Sequence, residues 1–340
     1  MGIRSFFGIV PFRVRHGQEL PYLDMRDAVP ESPVKLTAGF LQEKPTELRE
    51  KLQTFGFGLG AVPSDADTVI VSACDTDPAV TIQQHVFSLY PDTVARGLSL
   101  LQHIIQPKKI VLAIFPCQRK RAVSLAADLA EVAVIAPVYP NGFPQMLASM
   151  VKRLRSGVGT SMYVNAERLV AMTNAVETGA APTTKLVSLS GSGFPQRKNV
   201  CVRVGQSVQS VLDSQSVDMA VVRKVVCGGL LTGSAIYQPA AIQVTSQTDG
   251  IAAQTEKELV RYESVPCFNC GKCTAVCPAR LKVNHLARYA EYSRFDTCRE
   301  YAIDSCIGCG LCSYVCPAHR PLLQLISFAS DELKKGEAAV

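Results

Sequence analysis

The feature that most constrains this chain is a cysteine spacing written twice. The first copy reads Cys267-x2-Cys270-x2-Cys273-x3-Cys277-Pro278; the second reads Cys306-x2-Cys309-x2-Cys312-x3-Cys316-Pro317, with 28 residues between them. Zinc ribbons use separated C-x2-C knuckles, not four cysteines within 11 residues followed by Pro. A disulfide framework needs an oxidising compartment, and the sequence carries no sign of one. The opening Met1–Gly8 does not read as a signal peptide, because Arg13 and Arg15 soon interrupt its apolar patch.

The run C-x2-C-x2-C-x3-C-P is the bacterial spacing that binds [4Fe-4S] clusters, and the fourth Cys of each run ligates the other cluster in two-cluster ferredoxins. Two [4Fe-4S] clusters are therefore expected. Cys267, Cys270, Cys273 and Cys316 are assigned to cluster 1, and Cys306, Cys309, Cys312 and Cys277 to cluster 2. Gly271, Gly308 and Gly310 let the backbone wrap closely around sulfur. The trailing prolines stop the local helix. Apolar neighbours Phe268, Val276, Ile307, Leu311 and Val315 are expected to limit water. Five further cysteines (Cys74, Cys117, Cys201, Cys227 and Cys298) are scattered and read as buried free thiols. The five histidines show no metal-ligand spacing, and His319 reads as a surface or supporting residue.

The rest of the chain is long enough, at 340 residues, for two or three domains, and 47% hydrophobic residues can build a substantial core. The formal net charge of +6 is spread out, with no basic run longer than Arg119-Lys120-Arg121, which argues against nucleic acid as a partner. No stretch approaches the ~18 consecutive apolar residues of a membrane span.

Residues 1–48 form an irregular segment with a short strand at Phe12–Arg15. Residues 49–182 read as an α/β domain. Buried strands are expected at Thr68–Ala73, Ile110–Ile114 and Val132–Ile135, and helices near Glu47–Phe55, Val86–Ile105, Ser124–Leu129 and Gln145–Leu154. Strands alternating with helices predict a Rossmann-like parallel sheet. Residues 183–250 read as a small β-rich module with one helix at Ser207–Leu212, and residues 251–260 as a polar linker. The cluster domain spans 256–340, with helices at Lys282–Phe295 and Pro321–Leu333.

This order of parts resembles the RnfC family of the Rnf electron-transport complex. It is also similar to the flavin-bearing subunit of respiratory complex I and to a cobalamin reductase. The resemblance covers the chain from about residue 49 onwards. Tyr139-Pro140-Asn141-Gly142 looks like the family's Y-P-x-G turn. The stretch from Lys198 to Gly205 looks like a strand of its β-grasp, SLBB-like module, and Gly228–Gly233 is similar to its G-G-P-M-M-G loop. The resemblance implies a relay of single electrons within a membrane-associated, ion-translocating oxidoreductase. Membrane subunits would be partners, and the chain would lie on the cytoplasmic face of the inner membrane, attached through them. Its donor would be NADH or a redox protein, such as a cytochrome or ferredoxin.

Fully equipped members bind FMN and oxidise NADH, and this sequence departs from them in three loops. Gly56–Pro63 is shorter and bulkier than the family's glycine-rich flavin cradle. Cys74-Asp75-Thr76-Asp77-Pro78 replaces an E-C-E-P-type loop, where Asp75 and Asp77 read as turn formers. Phe143-Pro144-Gln145 occupies the place of a Glu after the Y-P-x-G turn. These departures predict a degraded NADH-oxidising site, with FMN a candidate only at the Gly56–Gly60 loop. The second reading is a soluble FMN and iron–sulfur reductase of NADH or a corrinoid cofactor.

Overall fold

The computed structural model describes residues 39–57, 67–126, 128–154, 161–259 and 263–338. The strand expected at Phe12–Arg15 and the loop residues Gly58–Pro63 lie outside them. The chain divides into two compact units: Met1–Gly229 with Ala235–Glu256, and Leu230–Ser234 with Lys257–Val340.

The first unit contains two sheets. One is fully parallel and built from β1 (Thr68–Ser72), β2 (Lys109–Ile114), β3 (Glu131–Val134) and β4 (Ser161–Asn165), in the order β3-β2-β1-β4. Side chains alternate across a strand, so β1 and β2 feed a core on each face. Val69, Val71, Ile110, Leu112 and Ile114 enter one apolar cluster, while Ile70, Val111 and Ala113 enter another with Leu147 and Val151. Every residue of β1 is buried, as expected for a parallel sheet covered on both sides.

The covering helices are α1 (Pro45–Thr54), α2 (Ile82–Leu89), α3 (Pro91–Ile105), α4 (Arg119–Ala126), α5 (Pro144–Leu154) and α6 (Ala166–Thr178). The one helix expected over Val86–Ile105 is two, divided at Tyr90. Pro91 sits in the first turn of α3, where its missing N–H costs nothing, and it cannot continue α2. β4 and α6 are additional to the expected elements, although Leu169, Met172 and Val176 of α6 do fall at helical spacing. β4 is a half-exposed edge strand with no apolar run. The ends of α6, however, carry ordinary signals: Asn165 accepts a bond from the N–H of Arg168 at 2.8 Å, and Gly179 closes the helix at φ 71°.

The second sheet comprises β5 (Thr184–Ser190), β6 (Lys198–Arg203), β7 (Val222–Cys227), β8 (Ser234–Ile236) and β9 (Gly250–Thr255), ordered β6-β5-β9-β7-β8. β9 runs parallel to β5 and antiparallel to β7. α7 (Val208–Ser214) packs Val208, Val211 and Leu212 against Val187, Leu189, Val200 and Val202. One helix held by a mixed sheet is the plan of a β-grasp. The expected linker at 251–260 is corrected here: its first half is β9, a buried strand inside the sheet. Ile251-Ala252-Ala253 is too short an apolar run to stand out, but its small side chains suit an interior strand.

The second unit is helical around a compact core. Its elements are α8 (Lys272–Val276), α9 (Val283–Glu291), α10 (Phe295–Glu300), α11 (Leu311–Tyr314) and α12 (Leu322–Ala338). α9 buries Val283, Leu286, Ala287 and Ala290 against Leu322, Ile326 and Ala329 of α12. Cys298 is fully buried in the same core; of the other four cysteines expected to be buried, Cys74 is, whereas Cys117 is exposed and Cys201 and Cys227 are half-buried. Among the described residues, no helix is long and apolar enough to cross a membrane.

Candidate metal centres

The two cysteine runs adopt one backbone shape twice. Each has a left-handed residue at its third position (Asn269 φ 58°, Gly308 φ 70°) and at its fifth (Gly271 φ 74°, Gly310 φ 74°). Each has another three residues past the last cysteine (Arg280 φ 56°, His319 φ 50°). Only Gly and, less easily, Asn accept this region cheaply, which explains the residue types at the third and fifth positions. After each fifth position a short helix follows, and it closes in the same way. Cys277 N–H donates to the Thr274 carbonyl and Cys316 N–H to that of Ser313, each at 3.3 Å. Asn284 of α9 pins the first loop, donating to Asn269 Oδ1 at 2.6 Å and accepting from Thr274 Oγ1 at 3.1 Å. Val265 N–H donates to the Ala318 carbonyl at 3.1 Å, joining the approach to the first run with the exit from the second.

This repeated turn gathers the cysteines into two groups of four. Cys267, Cys270, Cys273 and Cys316 line one cavity of about 300 Å³, together with Phe268, Asn284, Arg288 and Tyr292. Cys277, Cys306, Cys309 and Cys312 line a smaller one, closed by Ile307, Leu311, Leu323 and Ile326. Each cavity therefore takes three thiols from one run and the fourth from the other. Among the described residues, no group of three or more His, Cys, Asp or Glu is placed to hold a lone metal ion. The cysteines ring a space instead of meeting at a point.

The donor set fits iron–sulfur clusters on electrostatic grounds. Burial pushes the Cys273, Cys306 and Cys309 thiols up, and that of Cys312 up to about 12, with neighbouring cysteines adding to the shift. Opposing this, backbone N–H groups of Thr274, Gly308, Leu311 and Ser313 donate to the sulfurs of Cys273, Cys306, Cys309 and Cys312. Such bonds favour the charged thiolate that iron needs. Of the apolar residues expected to exclude water, Ile307 and Leu311 line the second cavity. Phe268 does the opposite and stands 61% exposed beside the first. His319 is exposed.

The loops that echo a flavin site also come together, in the first unit. Asp75 and Asp77 meet Tyr139 and Gly142 around a cavity of about 20 Å³. The closure is built in. A side chain at Gly142 would lie 2.1 Å from the Asp75 carbonyl oxygen, and one at Gly229 would lie 2.2 Å from the Asp77 carboxylate. Phe143, where the family has a Glu near this turn, is buried and packs edge-on to Tyr139 with ring centroids 5.8 Å apart. Asp77 accepts from the N–H of Ala79 at 2.9 Å, an Asx turn as expected. Asp75 accepts from Gln83 N–H and Gln84 Nε2, each at 2.7 Å. Burial still raises its carboxyl to about 7.

In a sheet of this order, ligands ordinarily sit beyond the carboxyl ends of the strands, where the order reverses, here between β1 and β4. Gln83 occupies that region and accepts from the N–H of Glu167 at 3.0 Å. The Glu167 carboxylate takes the N–H of Leu186 at 3.0 Å and lies 3.7 Å from Lys185. The described residues at these loops therefore do not fit a flavin.

Residues 259–317 match the 4Fe-4S dicluster domain, and the second unit accordingly carries two [4Fe-4S] clusters. Over 251 residues, 70% of this chain, the sequence is 27% identical to the C subunit of the ion-translocating oxidoreductase complex of Vibrio cholerae serotype O1, in strains of both the Classical Ogawa 395 and El Tor Inaba N16961 types. That is the family the motifs resemble. The match covers 32% of the Vibrio protein, so this chain spans about a third of the length of the curated relatives it matches. In fold, the chain is similar to one of an NAD+-reducing [NiFe]-hydrogenase in the H2-reduced state, with a TM-score of 0.51 and 17% identity over 86% of this chain and 57% of that one.

Proposed function

We propose that this chain is an electron-transfer subunit of an ion-translocating oxidoreductase complex. Single electrons pass through cluster 1, held by Cys267, Cys270, Cys273 and Cys316, and cluster 2, held by Cys306, Cys309, Cys312 and Cys277. The observation that carries the reading is the grouping of the eight thiols around two cavities, each completed by the last cysteine of the other run. When bound, the clusters supply reversible one-electron chemistry whose potential is set by charge, hydrogen bonds to sulfur and solvent exposure. The chain's own residues hold the thiolates, aim N–H groups at them and keep water from the second cavity.

The similarity to a component of an ion-translocating oxidoreductase complex supports membrane subunits as partners, with this chain held on the cytoplasmic face through them. The close packing of Asp75 and Asp77 against Gly142 and Gly229 supports a protein donor, such as a cytochrome or ferredoxin, over NADH. The α/β and β-grasp parts then act as a docking scaffold.

Two substitutions test the crossed ligation. Cys270→Ala should lose or convert cluster 1 and spare cluster 2. Cys277→Ala should damage cluster 2, although it lies in the first run. Electron paramagnetic resonance of the reduced variants reads both. Loss of the same signal from both variants would mean that each run serves a single cluster.

A further inference from the structure

The two cavities differ in their exposure to solvent. At the first, Cys270 itself is exposed, Phe268 is 61% exposed and Tyr292 is 72% exposed. At the second, none of the four cysteines is exposed, although Cys309 and Cys312 are no more buried than Cys273 of the first, and the lining is almost wholly apolar. Charge differs as well. Arg288 lines the first cavity and is exposed, as is Lys272, which follows Gly271 in the loop. The acid on that wall, Glu291, is engaged by Arg320 at 2.6 Å. Glu263, exposed ahead of the run, is the remaining acid nearby in sequence.

Resting on the two-cluster reading above, we infer that the face formed by Phe268, Cys270, Arg288 and Tyr292 is the electron exit, and that it docks an acidic one-electron carrier protein. Exposed aromatic residues with an arginine are the residue types that dominate protein interfaces. An acidic rim on the carrier complements Arg288 and Lys272 and steers its approach. Reduction adds one negative charge to a cluster, and water and nearby cations stabilise that charge. Cluster 1 therefore has the higher potential, and the drier cluster 2 feeds it. In the exit step, one electron would pass from the cluster held by Cys267, Cys270, Cys273 and Cys316 to the oxidised carrier; no bond in this chain is made or broken, and where the carrier is a flavoprotein the proton taken up by its semiquinone comes from water.

The test uses the full chain with its clusters, reduced by dithionite and mixed anaerobically with oxidised flavodoxin as the acidic carrier, or with the cation hexaammineruthenium(III). Arg288→Glu and Phe268→Ser are the variants. With flavodoxin, the wild-type rate should fall as salt rises, and Arg288→Glu should lower it about tenfold at low salt. The rate with the ruthenium cation should not fall. In an electron-paramagnetic-resonance redox titration, Arg288→Glu should lower the potential of the signal that Cys270→Ala removes, and leave the other signal unmoved. If both signals are present but neither variant changes the flavodoxin rate, the docking face is wrong while the two-cluster reading survives. If the wild-type chain gives no cluster signals, the two-cluster reading fails and takes this inference with it.

Discussion

Asp75 is the residue whose chemistry reaches furthest beyond its neighbourhood. Its carboxyl is raised by burial from an ordinary 3.8 to about 7, although it accepts two hydrogen bonds. The folded chain therefore holds this proton more tightly than the unfolded chain does. The contribution to stability is complete below the unfolded value and is lost as pH climbs through the folded one. Between about pH 4 and 7 the protein should lose stability on this account. Asp75→Asn should flatten that slope and be more stable than the parent at pH 8 by about 1–3 kcal/mol. Urea unfolding midpoints across pH measure this, and parallel curves for the two proteins would contradict it. The sequence identified Asp75 and Asp77 as turn formers and as a departure from a flavin-binding loop, and Asp77 does make such a turn. It could not reveal that Asp75 is buried, because burial depends on Gln83, Gln84 and Gly142 meeting it from other elements.

At the level of elements, the legible parts were those with a local signal. β1 and β2 are continuous apolar runs, and the cysteine loops carry their turn glycines in view. β4 and β9 were missed because their strand character comes from the neighbours they pair with. The break between α2 and α3 was marked by Pro91 but hidden by the helical spacing that runs across it. The repeated turn of the cysteine runs makes a quantitative comparison available. Gly271 and Gly310 have the same left-handed backbone, but a side chain at Gly271 meets nothing within 4 Å, while one at Gly310 would lie 2.5 Å from the Leu231 carbonyl oxygen. Gly271→Ala should therefore cost only the backbone penalty, about 1–2 kcal/mol. Gly310→Ala should add a steric cost of about 1–3 kcal/mol. Chemical denaturation of the cluster-loaded variants distinguishes the two, and equal losses would contradict the close approach.

Over the whole molecule, a body of two sheets with covering helices accompanies a dicluster domain, and the described turns at Asp75, Asp77, Gly142 and Gly229 pack closely against one another. The cofactor content was readable because thiol spacing in sequence is nearly the spacing around a cluster. The closure was readable only as altered residues, since the packing of Phe143 against Tyr139 appears first in the fold. NADH should therefore leave the broad absorbance of the anaerobic protein near ~400 nm unchanged, while a strong low-potential reductant bleaches it. Rapid bleaching by NADH would mean that a nicotinamide site survives. If two clusters are the working centres of this chain, spin quantitation of the fully reduced protein, set beside its iron content, gives about eight irons and about two unpaired spins per chain. About four irons and one spin, in protein that is fully loaded and folded, would contradict it.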